Sequence, residues 1–317
     1  MMESTVLPRT IDICICTFRR PELAATLRSL AVLELPQAYK VGVIIADNDD
    51  EPSARDLVIA MMDELQIPVH YIHAPARNIS LARNACLDAS RARFVAFIDD
   101  DETATKEWLV RLVKAAEGSR ADVVLGPVRA GYGEDAPVWM RHGDFHSTFP
   151  VLAGGEIRTG YTCNVLMRMD AKAICGRRFS LDRGQTGGED TAFFDEVYRA
   201  GGRIVYAPDA WTEEVVPPNR ATFGWLVRRR YRVGQTHGRL VASRKSGIGV
   251  AGQLALAGAK IAYCTVAATL TAPWATRRNR NILRGVMHMG ALSGLLGADE
   301  LRQYGMKQTG QGQGHAT

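Results

Sequence analysis

The sequence predicts an α/β fold built on a mostly parallel sheet. Within the first 126 of 317 residues, short apolar runs rich in β-branched residues alternate with segments of helical periodicity. Because these runs are apolar throughout, helices are expected to cover both faces of the sheet. Polar and acidic residues directly follow several of the runs, at the strand ends where ligands bind in open α/β sheets.

The predicted elements of this half follow in strict alternation. The predicted strands cover residues 11–16, 41–46, 69–73, 94–98 and 123–126. Pro21, a residue favoured in a first helical turn, opens the first helix, which continues through Leu23, Leu27 and Leu30. The later helices cover residues 52–65, 78–89 and 105–116. We interpret this half, about residues 8–126, as nucleotide-binding.

The alternation stops after residue 126. Residues 127–162 are rich in glycine, proline and aromatic side chains, which predicts a long irregular loop that is functional or mobile. The remaining elements are a strand over 163–169, a helix over 188–199, extended segments over 203–207 and 211–216, and a basic helix over 222–239. We group residues 127–240 as a second half, so that residues 1–240 form one domain.

The sequence predicts that the tail, residues 241–305, is an apolar and basic helical extension. Residues 248–260 and 261–274 are apolar, and Lys260 stands between them, so neither reaches the 18–20 residues that span a bilayer. An in-plane membrane contact and a helical hairpin packed on the core both remain open. The glycine- and glutamine-rich residues 306–317 are predicted to be disordered.

Charge and cysteine usage narrow the class of protein. The net charge of +5 is too small to indicate a nucleic-acid partner. Residues 219–245 carry eight basic residues and no acid, which favours a phosphate-bearing substrate or an anionic membrane face, or else a solvated helix face. The six cysteines form no CxxC pair, and the N-terminus does not resemble a signal peptide, so we expect reduced thiols and a cytoplasmic location.

The acidic run Asp99, Asp100, Asp101 and Glu102 directly follows a predicted buried strand. Carboxylates at this density repel one another unless a cation lies among them, and oxygen ligands suit Mg²⁺ or Mn²⁺. The alternative is an acidic first turn of a helix. Because glycine-rich phosphate loops are missing from the sequence, metal or arginine must neutralise any bound phosphate.

Five motifs occur in order over residues 10–235. They lie at residues 14–21, 45–48, 78–84, 97–102 and 187–190. Together they resemble the inverting glycosyltransferases of family 2, in the branch that builds bacterial exopolysaccharides such as succinoglycan. The resemblance implies the GT-A fold, a Rossmann-like sheet that binds nucleotide sugars, here with a C-terminal helical extension. It makes residues 1–240 the catalytic domain and residues 127–240 the acceptor half of that domain.

The resemblance also implies roles for individual positions. The implied nucleotide contacts are Thr17, Arg19, Asp47, Arg83, Asp99 and Asp100. The implied ligands of Mg²⁺ or Mn²⁺ are Asp99 and Asp101. The implied general base is Asp190, with Glu189 beside it. The implied diphosphate contacts are Arg229, Arg230 and Arg232.

The implied reaction is transfer of glucose from UDP-glucose to a lipid-linked oligosaccharide, by a peripheral protein at the inner face of the cytoplasmic membrane. A nucleotidyltransferase and a non-catalytic carbohydrate-binding or scaffold subunit are the alternatives. Relatives carry a metal-binding histidine in a segment like residues 211–220, which here contains none, so Glu213 or Glu214 is a substitute candidate. Trp139, Phe149 and Tyr161 are candidates either for an acceptor site or for core packing.

Overall fold

The computed structural model describes residues 9–185, 187–244 and 247–299. Its main sheet has seven strands, which in spatial order are β11 (Ile204–Tyr206), β6 (Val123–Leu125), β10 (Asn164–Arg168), β4 (Phe94–Ile98), β1 (Thr10–Thr17), β2 (Lys40–Asp47) and β3 (Val69–His73). Strand β10 runs antiparallel to β4 and β6, and the other pairs are parallel. The predicted mostly parallel sheet is therefore confirmed.

Helices cover the two faces of this sheet. One face packs against α1 (Leu23–Ala31), α2 (Arg55–Leu65) and α4 (Trp108–Ser119), and the other packs against α3 (Ile79–Ala89) and α6 (Glu189–Arg199). Successive residues of a strand point to opposite faces, so Ile13 joins the first core cluster and Cys14 the second. This two-sided burial is the reason that the strands are continuously apolar.

A second, three-stranded sheet has the order β5 (Glu102–Ala104), β12 (Thr212–Val216) and β7 (Val128–Tyr132). The prediction of a long irregular loop over 127–162 is therefore wrong. This stretch contains β7, the short helix α5 (Val138–Gly143) and a hairpin of β8 (Leu152–Ala153) with β9 (Glu156–Ile157). Strand β7 was missed because it is only partly buried and is stabilised by pairing with β12, some 85 residues away in the chain.

The C-terminal part consists of three long helices, α7 (Phe223–Ala242), α8 (Ile248–Leu270) and α9 (Ala275–Leu295). Helices α7 and α9 approach closely because glycines face each other across their interface. A Cβ atom added at Gly234 would lie 2.0 Å from the carbonyl oxygen of Met287, and one added at Gly290 would lie 1.9 Å from that of Tyr231. Helix α9, which belongs to the predicted tail, therefore packs against α7, which belongs mostly to the predicted domain of residues 1–240. The domain boundary at residue 240 stays a prediction.

Helix α8 is one continuous helix, so the predicted division at Lys260 is wrong. The Lys260 side chain is exposed to solvent, so its charge is not buried and the helix continues through this residue. By length and composition alone α8 could cross a membrane, and 11% of its most apolar 18-residue window is buried. It carries exposed apolar side chains at Ile248, Leu256, Tyr263, Val266 and Leu270. The predicted disorder of 306–317 concerns residues outside the described part of the chain.

Candidate active site

The acidic run lies at the carboxyl end of the central strand β4. Asp100 and Glu102 are buried, and Asp99 and Asp101 are half-buried. Burial raises the pKa of Asp99 to about 6, with Arg83 opposing the shift and Asp101 adding to it. Burial likewise raises the pKa of Asp100 to about 7, helped by the charge of Asp101. The cluster therefore holds more negative charge than its surroundings compensate.

Two arginines border the acidic run. Arg20 lies 3.6 Å from a carboxylate oxygen of Asp101, and Arg220 lies 3.4 Å from the same oxygen. Arg220 also pairs with Glu214 at 2.7 Å. Neither arginine was assigned a site role from the sequence. The signal for Arg20 was its place in the motif after β1, whereas Arg220 was only the first residue of a basic block.

The donor atoms present fit a divalent cation. Ligand atoms of Asp99, Glu102 and Cys163 all lie within 4.8 Å of one another. Asp99 and Glu102 offer carboxylate oxygens, which suit Mg²⁺ or Mn²⁺. Burial, and to a smaller extent the neighbouring carboxylates, raise the pKa values of both groups. Of the substitute ligands considered above, Glu214 is paired with Arg220, and Glu213 is exposed and paired with Arg129 at 3.2 Å.

The second acidic pair begins helix α6. Glu189 and Asp190 occupy its first turn, where the helix dipole favours negative charge, and Gly188 precedes them with a φ of 84° that suits glycine. Arg83 of α3 forms a buried ion pair with Glu189. Burial and the charge of Glu189 raise the pKa of Asp190 to about 6, while Arg83 opposes the shift. Asp190 is thus a carboxylate that can accept a proton near neutral pH.

The structure brings these two acidic groups together. Arg83 pairs with Glu189, and its charge also interacts with those of Asp190 and Asp99, so the two acidic groups lie within electrostatic reach of one guanidinium. Asp99 in turn interacts with Glu189 and Asp101. Residues about 90 positions apart in the sequence therefore form one site, at the carboxyl end of the parallel strands.

The other predicted nucleotide contacts lie at the ends of β1 and β2. Asp47 is fully buried, and its carboxylate accepts hydrogen bonds from the Tyr71 hydroxyl at 2.8 Å and the Ala54 amide at 2.8 Å. Arg19 is exposed and pairs with Asp49 at 2.7 Å. Thr17 is 2% exposed. The roles of these residues toward a nucleobase stay predictions.

Comparison with known proteins identifies the family. The family model described as glycosyl transferase family 2 matches residues 12–175. The chain belongs to this family. It is 56% identical to the succinoglycan biosynthesis protein ExoM of Rhizobium meliloti strain 1021, over 94% of this chain and 96% of that protein. It is 24% identical to the glucosyl-dolichyl phosphate glucuronosyltransferase of Haloferax volcanii, over 71% and 75% of the two chains.

Solved structures show the same fold. The mannosyltransferase PcManGT from Pyrobaculum calidifontis, in complex with GDP-Man and Mn²⁺, aligns with a TM-score of 0.59 at 18% identity, over 93% of this chain and 89% of that one. Residues 1–349 of S. aureus TarS with UDP-GlcNAc align with a TM-score of 0.52 at 15% identity, over 89% and 92%. The chain spans 55% of the longer TarS chain.

Membership of family 2 makes the chain a glycosyltransferase of the GT-A fold, as the sequence motifs predicted. The nucleotidyltransferase and scaffold alternatives therefore lose their support. In this glycosyltransferase, the acidic run after β4 and the Glu189–Asp190 pair both act electrostatically on Arg83. Their individual roles remain predictions.

The three arginines of the basic helix α7 for which diphosphate contacts were predicted have different surroundings in this glycosyltransferase. Arg229 packs over the Trp225 ring at 5.3 Å and interacts with the charge of Glu214, and burial lowers its pKa. Arg230 donates a hydrogen bond to the Phe145 carbonyl at 3.3 Å, and Arg232 is half-buried. The diphosphate contacts that the resemblance implied for these three arginines stay predictions.

The three aromatic candidates for an acceptor site also differ in their surroundings. Trp139 packs against Phe145 at a centroid distance of 5.1 Å, and the Tyr161 hydroxyl donates to the Gly126 carbonyl at 2.7 Å. Phe149 is 47% exposed and meets Trp211 edge-to-face at 6.0 Å. Phe149 therefore presents an accessible ring, whereas the other two rings serve packing.

Three histidines of the described part of the chain differ in burial. His146 is 3% exposed, stacks on Trp225 and lies 3.0 Å from the Tyr132 hydroxyl. Burial lowers its pKa to about 4, so it is neutral and structural. His142 is exposed on α5 and His237 is exposed on α7.

Proposed function

We propose that this glycosyltransferase transfers a hexose, glucose from UDP-glucose, to a lipid-linked oligosaccharide in the assembly of a succinoglycan-like exopolysaccharide. The 56% identity to a succinoglycan biosynthesis protein over nearly the full length of both chains supports the pathway. The name of the Haloferax volcanii relative, a glucosyl-dolichyl phosphate glucuronosyltransferase, supports an acceptor linked to a lipid phosphate.

In the proposed reaction, Asp190 accepts the proton of the attacking acceptor hydroxyl. The hydroxyl oxygen then bonds to the anomeric carbon as the bond to the nucleoside diphosphate breaks. Because attack and departure take place on opposite faces of the sugar, a single displacement inverts the configuration. Asp99 and Asp101 would hold Mg²⁺ or Mn²⁺, which supplies positive charge to the departing diphosphate.

One observation supports this proposal: the acidic run and the Glu189–Asp190 pair lie within electrostatic reach of a single arginine, which pairs directly with Glu189. Two roles, neutralisation of a leaving diphosphate and deprotonation of a hydroxyl, require two groups of carboxylates in one site. The charges of Asp99 and Asp190 both act on Arg83, although the two aspartates lie on different elements. A non-catalytic sugar-binding protein would not require this concentration of buried carboxylates.

A donor screen tests the proposed reaction. The full chain is incubated with UDP-glucose, UDP-GlcNAc or GDP-mannose and a lipid extract that contains the acceptor, and nucleotide release is measured with Mn²⁺, with Mg²⁺ and with EDTA. We expect release of UDP from UDP-glucose, abolished by EDTA and restored by added metal. Equal rates with and without EDTA would refute the metal requirement, and a preference for another donor would refute the glucose assignment.

The proposed peripheral contact with the inner face of the cytoplasmic membrane rests on helix α8. Helix α8 has exposed apolar side chains and packs against α9, which carries the exposed basic residues Arg277, Arg280 and Arg284, a combination that suits an anionic bilayer surface. Sedimentation with vesicles of anionic lipid tests this contact. We expect Leu256→Glu combined with Val266→Glu to reduce binding.

The matched control for that experiment is Ile59→Glu, because Ile59 is 58% exposed on α2, far from α8 in the sequence. We expect the control to sediment with vesicles as the unmodified chain does. Equal vesicle binding by the α8 variant would refute the membrane contact.

A further inference from the structure

The charge balance beside Asp190 depends on a buried ion pair. The side chains of Arg83 and Glu189 are 7% and 4% exposed. Nη1 of Arg83 donates to Oε1 of Glu189, whereas the buried Oε2 of Glu189 has no hydrogen-bond partner in the described part of the chain. Glu189 directly precedes Asp190 in the first turn of α6, so any movement of Glu189 also moves the neighbouring carboxylate.

Aromatic packing keeps the Arg83 guanidinium in this place. The guanidinium lies 5.6 Å from the centroid of the Phe179 ring. Phe179 itself stacks on Phe193 of α6 at 4.4 Å. Asn84, the next residue of α3, fixes the backbone of Phe179 through two hydrogen bonds, donating to its carbonyl at 2.9 Å and accepting from its amide at 2.8 Å. Arg83 and Asn84 thus connect α3 to α6.

We propose that Arg83 is a positioning residue for the reaction: by pairing with Glu189 and stacking on Phe179, it fixes and neutralises the helix turn that carries Asp190. This inference rests on the proposed function, in which Asp190 is the general base. It differs from the role that the sequence resemblance implied for Arg83, a contact with the nucleotide.

The two partners act on Asp190 with opposite signs. The charged groups that act on Asp190 include Glu189, Arg83 and Asp99. The nearby Cys163 thiol is neutral, because burial raises its pKa well above the usual range. Glu189 and Asp99 disfavour the ionised form of Asp190, whereas Arg83 favours it. Removal of Arg83 should therefore raise the pKa of Asp190, and removal of the charge of Glu189 should lower it. A role confined to packing would not reverse the direction of the shift between the two variants.

The test measures Asp190 directly. In protein labelled with ¹³C at the aspartate carboxyl carbons, the Asp190 resonance is assigned by its loss in Asp190→Asn and is then titrated with pH. We expect Arg83→Gln to raise the pKa of Asp190 by about one unit or more and Glu189→Gln to lower it. No shift, or shifts in one direction in both variants, would overturn the proposal.

Folding and packing are controlled by three further variants. The double variant Arg83→Gln with Glu189→Gln removes both charges of the ion pair, so their opposite effects on Asp190 should largely cancel and Asp190 should titrate near its value in the unmodified protein. Arg83→Lys keeps the charge and should do the same. Arg178→Gln removes an ion pair that also connects α3 to the Phe179 segment, through Asp88 at 2.7 Å, but is exposed. It should leave the Asp190 titration unchanged.

Measurements of kcat and of the Kd for UDP distinguish a positioning role of Arg83 from a role in donor binding. We expect Arg83→Gln to lower kcat while the Kd for UDP changes by less than about threefold. A residue that acts only in the transition state changes kcat, whereas a residue that binds the nucleotide changes the Kd. A Kd for UDP raised tenfold or more, with kcat intact, would assign Arg83 to the nucleotide and overturn the proposal. If the unmodified chain released no nucleotide, the proposed function would fail, whereas the titration would still decide the positioning role.

Discussion

Arg220 lies 3.4 Å from Asp101, at the edge of the acidic run. The same guanidinium lies 2.7 Å from Glu214, and the Arg220 side chain is 24% exposed. A residue that follows strand β12 therefore places a positive charge beside the acidic run that ends strand β4. Because it is still partly accessible, Arg220 can also reach the phosphates of a donor bound at this edge of the sheet.

We predict that Arg220→Gln raises the KM for the sugar-nucleotide donor by about tenfold or more, because charge-assisted hydrogen bonds contribute about 1.5–3 kcal/mol. Initial rates at varied donor concentration measure the effect. Arg129→Gln is the matched control, since Arg129 pairs with Glu213 on the neighbouring part of the same sheet, where both side chains are exposed. A donor KM equal in the two variants would contradict a donor contact by Arg220.

Replacement of the proposed base gives a second prediction. Asp190→Asn keeps the shape of the side chain but cannot accept the hydroxyl proton, so kcat should fall by about 10²–10⁴-fold. The KM for the donor should change little. Glu196→Gln removes an exposed carboxylate from the same helix and should leave kcat unchanged. Turnover of Asp190→Asn within a few-fold of the unmodified chain would exclude Asp190 as the base.

The pH dependence of kcat follows from the same group. Burial, and then the charge of Glu189, raise the pKa of Asp190 to about 6. Only the ionised carboxylate can accept a proton, so kcat should be low below this value and should reach a plateau above it. Steady-state rates at saturating donor and acceptor, measured across this range, check the prediction. A profile that falls as the pH rises through 6 would show that a protonated group is required instead.

The contact between α7 and α9 should not tolerate a side chain at Gly290. A Cβ there would lie 1.9 Å from the Tyr231 carbonyl oxygen, so Gly290→Ala must separate the helices, at a cost of about 1–3 kcal/mol in the free energy of unfolding. Gly258→Ala is the control, because nothing lies within 4 Å of its Cβ position on α8. This control should be neutral or stabilising by up to about 1 kcal/mol. Urea denaturation compares them.

The sequence alone predicted the half of the fold that is built from repeated strand and helix units. Strands such as β4 are apolar over their full length because helices bury both of their faces, and this pattern can be seen without coordinates. It also identified the acidic residues Asp99 and Asp101 as candidates, because carboxylates crowded at a strand end are chemically conspicuous, whereas Asp190 was identified through the resemblance to family 2. Local patterns of this kind are complete within a short segment.

Only the tertiary structure decided which partners these residues have. The pairing of β7 with β12, of Arg83 with Glu189 and of Arg220 with Asp101 joins segments separated by about 85 to 120 residues. Such contacts leave no local signal, because an arginine on a helix looks the same in sequence whether it faces solvent or a buried carboxylate. The residue types supplied the chemical groups, and the position of α3 and α6 on the same face of the sheet brought Arg83 and Glu189 together.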